Sequence, residues 1–291
     1  MTCNTREASL CDTRETALCN TREASLCDPA NQKGNGIVDV WQETFPVRFG
    51  AIDRSDRLTL DAVFQFFQEA AICHAENLGV GRKDMERTGQ AWILSRITVL
   101  ADRRPEYCET ITVRSWPRGS DKLFAMRNYD IRDSSDIPVV RAKSGWLVVD
   151  MEKRRPLRPQ SVMESLPLNE GLESLSPDEN GAAGLAERTN LQKAMERKAL
   201  YTDIDYFGHV NNVRYIQWIE DALDPRHLEK AGKMRLDINY LNEILSGEVI
   251  EILTNSIKDD SGAADEWQKA FAFEGRKENG QPAFRAELRL L

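Results

Sequence analysis

No apolar run in this sequence approaches the ~18 residues a membrane-crossing helix needs, and the chain start lacks the basic residues and apolar stretch of a secretory signal. These absences predict a cytoplasmic protein with no membrane span. A basic domain is missing too: the formal charge is −8 at pH 7, which argues against a nucleic-acid partner. Six cysteines are present, at Cys3, Cys11, Cys19, Cys27, Cys73 and Cys108, but none form the C-x₂₋₄-C pairs of a zinc site. No metal and no cofactor are therefore expected. There is no serine in a G-x-S-x-G setting, and the neighbourhood of His209 has no cysteine, so an obvious protein nucleophile is lacking.

What is there fits a globular protein of about two domains: 291 residues, 41% hydrophobic and 30% charged. Residues 1–36 stand apart. They carry three copies of one octapeptide (CNTREASL, CDTRETAL, CNTREASL), and near-identical octads cannot build a core, so this segment reads as a disordered tail. Cys73 and His74 are sequence neighbours, which point in different directions on a helix, and both read as packing residues.

Residues 37–164 form the first folded unit. Residues 37–49 read as a strand or strand pair bent at Pro46, followed by a buried helix from Leu60 to about Leu78 that stops at Gly79. Four strand-like runs follow, Ala91–Leu100, Glu109–Trp116, Leu123–Ile131 and Val139–Val149. Residues 165–193 are rich in Ser, Pro, Gly, Asn and acids, the composition of an interdomain linker. Residues 194–291 repeat the order: a strand at Met195–Tyr201, a helix after Asn211, then runs at Arg235–Leu241, Glu248–Ile257, Glu266–Phe273 and Ala283–Leu291. A helix followed by several strands, twice over, is an α+β fold.

The repetition extends to residues. With Asp53 set under Asp205, Val63–Ala70 falls under Tyr215–Ala222 with the same polar and apolar pattern. Further on, Glu109-Thr-Ile111 matches Glu248-Val-Ile250, and Pro138 to Ala142 matches Pro282 to Ala286. Matches in one order imply a duplicated domain of ~100–130 residues rather than a solenoid. The differences carry the functional signal. Where the second half has His209 the first has Arg57, and where it has Glu243 the first has Arg104. A guanidinium cannot serve as a general base near neutral pH, so one half reads as active and the other as structural.

Asp205 and His209 lie in one loop at the mouth of a mostly apolar, hence buried, helix whose N-terminus offers unpaired N–H groups, and Glu243 lies in the turn ending the strand Arg235–Leu241, which can pack against that helix and bring the three together. Two carboxylates and an imidazole can deprotonate a water, and the helix end can hold the oxyanion of an attacked carbonyl. This is equipment for hydrolysing an ester, thioester or amide. Capping alone produces a similar pattern, with Asn211 or Asn212 as the N-cap and His209 bonded to a backbone carbonyl.

The stretch Asp203-Ile-Asp205-x-x-Gly208-His209-Val210-Asn211-Asn212-Val213-Arg-Tyr215-Ile resembles the signature of acyl–acyl carrier protein thioesterases, the plant plastid enzymes and their bacterial relatives. The resemblance runs over residues 38–291, through Asp53-Arg54, Gln68-Glu69-Ala70-Ala71, Trp92 to Arg96, Asp102-Arg103-x-Pro105, Arg141-Ala142-x-Ser144-x-Trp146 and Arg154-Arg155-Pro156. It implies a tandem (double) hotdog fold, each domain an antiparallel sheet wrapped around a long central helix. It also implies hydrolysis of the thioester joining a fatty acyl chain to carrier-protein phosphopantetheine. Carried over by position, Asp205, His209 and Glu243 are the catalytic residues, with Phe207, Gly208 and Asn211 beside the substrate. Residues 37–164 would then be the structural, acyl-pocket half, with residues of its helix lining the acyl tunnel, and 194–291 the catalytic half.

Two positions depart from the family pattern. Phe207 stands where an Asn is usual and Ile244 where a Cys is frequent. Loss of the Cys argues against a thiolate mechanism. Loss of the Asn leaves carbonyl polarisation to backbone N–H groups around Gly208–Asn212, to His209 or to Asn211. The expected partner is acyl carrier protein bearing the acyl chain, with Arg82, Lys83, Arg87, Lys153, Arg154 and Arg155 as candidates for a basic rim. An acyl-CoA thioesterase and a non-catalytic acyl-binding protein remain the rival readings, and a homodimer is left open.

Overall fold

Thr59 caps the first helix through its side chain, which accepts from Ala62 N, and the apolar spacing that follows buries Val63, Phe64, Phe67, Ala70 and Ala71. This helix, α1 (Leu60–Asn77), follows strand β1 (Trp41–Pro46) and precedes a short helix α2 (Arg82–Arg87) that the sequence pattern did not reveal. Strands β2 (Gln90–Ala101), β3 (Thr110–Asp121), β4 (Phe124–Arg132), β5 (Pro138–Asp150) and β6 (Arg155–Leu157) complete the first half, with a single turn α3 (Gln160–Met163) behind them. The second half repeats this as β7 (Gln192–Lys198), α4 (Asn212–Asp221), α5 (Pro225–Lys230), β8 (Met234–Tyr240), β9 (Val249–Ile257), β10 (Lys269–Lys277) and β11 (Pro282–Leu290). This computed structural model describes residues 38–164, 166–257 and 267–291; the octapeptide tail lies outside them.

The eleven strands of the described residues join one antiparallel sheet in the order β1-β3-β4-β5-β2-β8-β11-β10-β9-β7, with β6 beside β5. The order is palindromic under exchange of the halves, so a pseudo-twofold axis crosses the β2–β8 pair. Register locates it. Ile97 faces Ile238, Thr98 faces Asp237 and Val99 faces Leu236, and Thr98 and Asp237 occupy corresponding places in the two halves. The Thr98 hydroxyl donates to Asp237 Oδ1 at 2.6 Å on the axis itself.

The helices α1 and α4 pack together inside the curl of the sheet, and their buried faces belong to one core: Val63, Phe64 and Phe67 with Val213, Ile216 and Ile219. Each such side chain contributes about 1.5–3 kcal/mol through burial. The fold is the tandem hotdog that the family resemblance implies. The strand boundary expected at Tyr201 shifts, since Tyr201–Asp203 is a 3₁₀ turn beyond β7; β10 runs from Lys269, and the expected start at Glu266 lies outside the described residues.

The Ser- and Pro-rich segment after residue 165 is bound along the outside of the sheet. Trp116 Nε1 donates to Leu172 O at 3.0 Å, Ala182 N to Thr98 Oγ1 at 2.8 Å and Leu185 N to Asn239 Oδ1 at 2.7 Å. It is a strap across both halves. Its irregular backbone pairs with polar side chains of the outer sheet face, so its polar composition suits adhesion as well as a connector. Cys73 and His74 are both buried, and His74 packs as expected. The His74 ring lies 2.8 Å from Val38 O and 3.1 Å from Arg127 Nη1, and burial, with Arg127 beside it, holds its pKa down at about 4.

Candidate active site

The loop before α4 is a tight hairpin that ends as a helix cap. Asp205 N donates to His209 O at 2.8 Å, and Gly208 N to Asp205 O at 3.1 Å, with Gly208 at φ +84° where a side chain would be strained. Asp205 Oδ1 accepts from Phe207 N at 2.9 Å and from His209 N at 3.4 Å, so this carboxylate holds the shape of its own loop. Asn211 is the N-cap: its side chain accepts from Val213 N at 2.9 Å. The capping role weighed for Asn211 is therefore present, and the histidine is free for other work.

His209 pairs across a β-bridge with Leu245, which brings Glu243 alongside. His209 Nε2 and Glu243 Oε2 are 2.9 Å apart, both partly open to solvent. The Glu243 turn is itself fixed. Lys277 Nζ donates to Glu243 O at 2.9 Å and pairs with Glu248 at 2.9 Å, while Glu248 Oε2 accepts from Leu245 N at 2.7 Å. The Tyr240 hydroxyl donates to Asn212 O at 3.1 Å and steadies the first turn of α4. Below the loop lies Tyr215, whose phenol is pushed up by burial and then by the nearby Asp205 charge. Lys277 and Tyr240 were not visible as site residues in the sequence. Only the shared Glu248 hinted that this turn is built to a fixed shape.

A surface hollow of about 490 Å³ opens beside Asp205, bordered by Tyr201, Thr202, Ile204, Tyr206 and Ser246. Phe207 is 51% exposed and meets Tyr206 edge-on. The Arg82 guanidinium of α2 lies 4.1 Å from the Tyr206 ring centroid, so the first half reaches the site through one of the basic-rim candidates. The α1 side chains expected beside an acyl tunnel are packed in the common core, away from this hollow.

The corresponding place in the first half has the same backbone and different chemistry. Asp53 N donates to Arg57 O at 2.9 Å, and Asp56, at φ +63°, stands where the second half has Gly208. Arg104 Nη1 donates to Asp53 Oδ2 at 2.5 Å; burial pushes Asp53 up, but bonds from Ser55 and Arg104 more than reverse this and its pKa is lowered. Arg104 Nη2 also donates to Leu228 O at 2.9 Å, Arg57 Nη1 to Ala231 O at 3.2 Å and Arg57 Nη2 to Glu229 O. The residues that replace the acid–base pair clamp the C-terminal carbonyls of α5.

The profile of the acyl-ACP thioesterase N-terminal domain matches residues 38–165, and that of the C-terminal domain matches residues 186–288. The chain belongs to the acyl-ACP thioesterase family. Among curated acyl-ACP thioesterases, it is 25% identical over 247 residues to the chloroplastic palmitoyl-acyl carrier protein thioesterase of Cuphea hookeriana, covering 81% of this chain and 59% of that one. The chloroplastic oleoyl-acyl carrier protein thioesterase 2 of Arabidopsis thaliana is 21% identical over 234 residues, covering 74% of this chain and 63% of that one. This acyl-ACP thioesterase family chain thus spans about 60% of the length of the curated relatives it matches. Among solved structures, the 12:0-ACP thioesterase of Umbellularia californica superposes with a TM-score of 0.72 at 21% identity, over 86% of this chain and 96% of that one. An acyl-ACP thioesterase of Bacteroides thetaiotaomicron gives 0.70 at 21%, over 87% and 98%. Both share the fold. Among the described residues no helix is long and apolar enough to cross a membrane.

Proposed function

We propose that the protein hydrolyses the thioester of fatty acyl-acyl carrier protein and releases free fatty acid in fatty acid biosynthesis. The observation that carries this is the 2.9 Å contact of His209 Nε2 with Glu243 Oε2 at the mouth of α4, beside a hollow bordered by Asp205. Glu243 takes a proton from water as the water oxygen bonds to the carbonyl carbon. The carbonyl electron pair moves onto oxygen, held by the N-terminus of α4. Collapse expels the pantetheine sulfur, which receives the proton from Glu243 and leaves as the thiol. His209 orients the base, and Asp205 keeps the loop in register. Phe207, Gly208 and Asn211 form the substrate-facing edge, and the first half supplies the acyl pocket.

Carrier protein is favoured over CoA by the basic side chains around α2. Met151 N donates to Gly89 O at 2.9 Å and so draws the β5–β6 turn to the end of α2. This brings the turn that carries Lys153 and Arg154 to the end of α2, which carries Arg82, Lys83 and Arg87, and a basic rim there suits an acidic partner. A cytoplasmic location and a homodimer are further parts of this proposal. The test is release of free acid from acyl-carrier protein and from acyl-CoA by wild type, Asp205→Asn, His209→Ala and Glu243→Gln. Undiminished turnover in all three variants sinks the site assignment, and equal salt dependence with both substrates sinks the preference for carrier protein. Tight acyl binding without turnover by wild type selects the non-catalytic reading.

A further inference from the structure

The pseudo-twofold axis relates the helix pair as well as the strands, and it exposes an asymmetry at the two helix N-termini. At α1, Leu60 N donates to Glu220 Oε1 at 3.0 Å and Asp61 N to Glu220 Oε2 at 3.3 Å. A carboxyl group from the opposite helix thus covers the first amides of α1. The residue corresponding to Glu220 is Gln68, and the residues corresponding to Leu60 and Asp61 are Asn212 and Val213. The correspondence is structural as well as sequential. The N-caps Thr59 and Asn211, the bridges Ile52–Leu58 and Ile204–Val210, and the bridges Arg57–Glu106 and His209–Leu245 coincide under it. Symmetry therefore sets Gln68 over the N-terminus of α4 as Glu220 is set over that of α1.

The two environments differ in what they leave open. Val213 N is taken by the Asn211 cap, while Asn212 N, unlike Leu60 N, has no hydrogen-bond partner among the described residues. Gln68 is partly buried and its side chain makes no hydrogen bond among them. Symmetry thus relates the unused side-chain amide of Gln68 to the open Asn212 amide, at the helix end beside His209, as it relates Glu220 to Leu60 N. Phe207, in the same loop, has no such donor to offer. Resting on the thioesterase reading above, we propose that Gln68, on the central helix of the half without an acid–base pair, donates its side-chain amide to the thioester carbonyl oxygen, which sits against Asn212 N–H. The catalytic site is then completed from both halves. Glu220 is the filled counterpart that shuts the first-half position.

The test compares wild type with Gln68→Leu and Gln68→Glu. Loss of one oxyanion donor lowers kcat by about 10²-fold with KM nearly unchanged, so Gln68→Leu is expected to hydrolyse acyl-carrier protein about 10²-fold more slowly. Gln68→Glu is expected to lose more activity while melting no lower than wild type, because its carboxyl can cap Asn212 as Glu220 caps Leu60. Calorimetric binding of a free fatty acid, whose carboxylate seeks the same helix end, is expected to weaken at least tenfold in Gln68→Glu. Folded variants with kcat within twofold of wild type overturn the proposal, as does unchanged fatty-acid affinity in Gln68→Glu. If wild type releases no acid from any thioester, the hydrolase reading fails by itself, and the fatty-acid measurement still decides whether Gln68 faces the helix end.

Discussion

The two halves of this molecule contain the same loop twice, and they use it in opposite ways. In the second half the positions after the shared turn carry His209 and Glu243, which touch each other, and Asp205 of the same loop borders an open hollow. In the first half the same positions carry Arg57 and Arg104, whose Nη atoms reach across to the carbonyls of α5 and to Asp53, while the buried Arg104 Nε has no partner among the described residues. Backbone hydrogen bonds are alike at both places, so the loop geometry is a property of the fold. The difference lies in which side chains are left without a partner. A site able to act on a ligand keeps groups in reserve, and a structural one spends them on its neighbours. Arg54 and Tyr206 make the same point at corresponding places: Arg54 forms an ion pair with Glu229 of α5, whereas Tyr206 makes ring contacts, with Arg82 of α2 and with Phe207.

The strongest way to break this comparison is to remove the acid–base pair. His209→Ala and Glu243→Gln are each expected to lower kcat by about 10²–10⁴-fold, measured as free acid released from acyl-carrier protein, with little change in melting temperature. The reciprocal experiment, Arg57→His with Arg104→Glu in a His209→Ala background, is expected to restore no hydrolysis, because α5 and Glu220 still occupy the first-half position. Release of acid above background would refute the view that packing, rather than residue type alone, closes that half.

Stability should respond in the opposite sense. Arg104 is 3% exposed, and Arg104→Ala strands Asp53 and three carbonyl and hydroxyl acceptors. Breaking a buried pair from one side costs about 3 kcal/mol, to be read from urea unfolding. Activity per folded molecule should fall much less than in the second-half variants.

A third effect concerns pH. Burial, and then the neighbouring Asp61, raises the Glu220 pKa from its ordinary 4.5 to about 8, despite the two amides that bond it and the more distant Arg104 charge. A raised acid binds its proton more tightly in the folded state. Its stabilising contribution is therefore fully present below about 4.5, declines as pH rises toward about 8, and is level above that. The stability difference between wild type and Glu220→Gln should change with pH across this window and flatten outside it. A difference independent of pH would mean that Glu220 is not held as described. The smallest effect is expected on the surface. Arg197 and Asp221 form an ion pair with both side chains about half exposed, and Arg197→Ala should shift unfolding by about 0.5 kcal/mol or less.

Much of this architecture was legible in the sequence because it rests on periodicity and repetition. The helix from Leu60, the α4 pattern and the pairing of Asp53 with Asp205 needed only the order of polar and apolar residues, and the duplicated bridges and caps bear the alignment out. The proximity of Glu243 to His209 followed from that alignment and the family signature, since it depends on a bridge between segments distant in the chain. Other features left no local trace. The short helices α2 and α5 are too brief for a clear period. The strap reads as a linker because its partners, Thr98 and Asn239, are ordinary strand residues until their pairing is seen. The role of Glu220 was hidden for a related reason: on α4 it looks like a polar helix position, and its meaning comes from the amides of another helix.

The join of β2 to β8 also bears on how the chain is made. When the ribosome has finished the first half, β2 presents a bare edge of N–H and C=O groups that stays unpaired until β8 is synthesised, from Ala101 on to Met234. Thr98 sits on the symmetry axis, so this edge can accept the same strand of another nascent chain in nearly the register it later offers to β8. The strap emerges before β8 and bonds Thr98 through Ala182 N. It therefore takes hold of the outer face of β2 through a side chain and leaves the edge itself to β8.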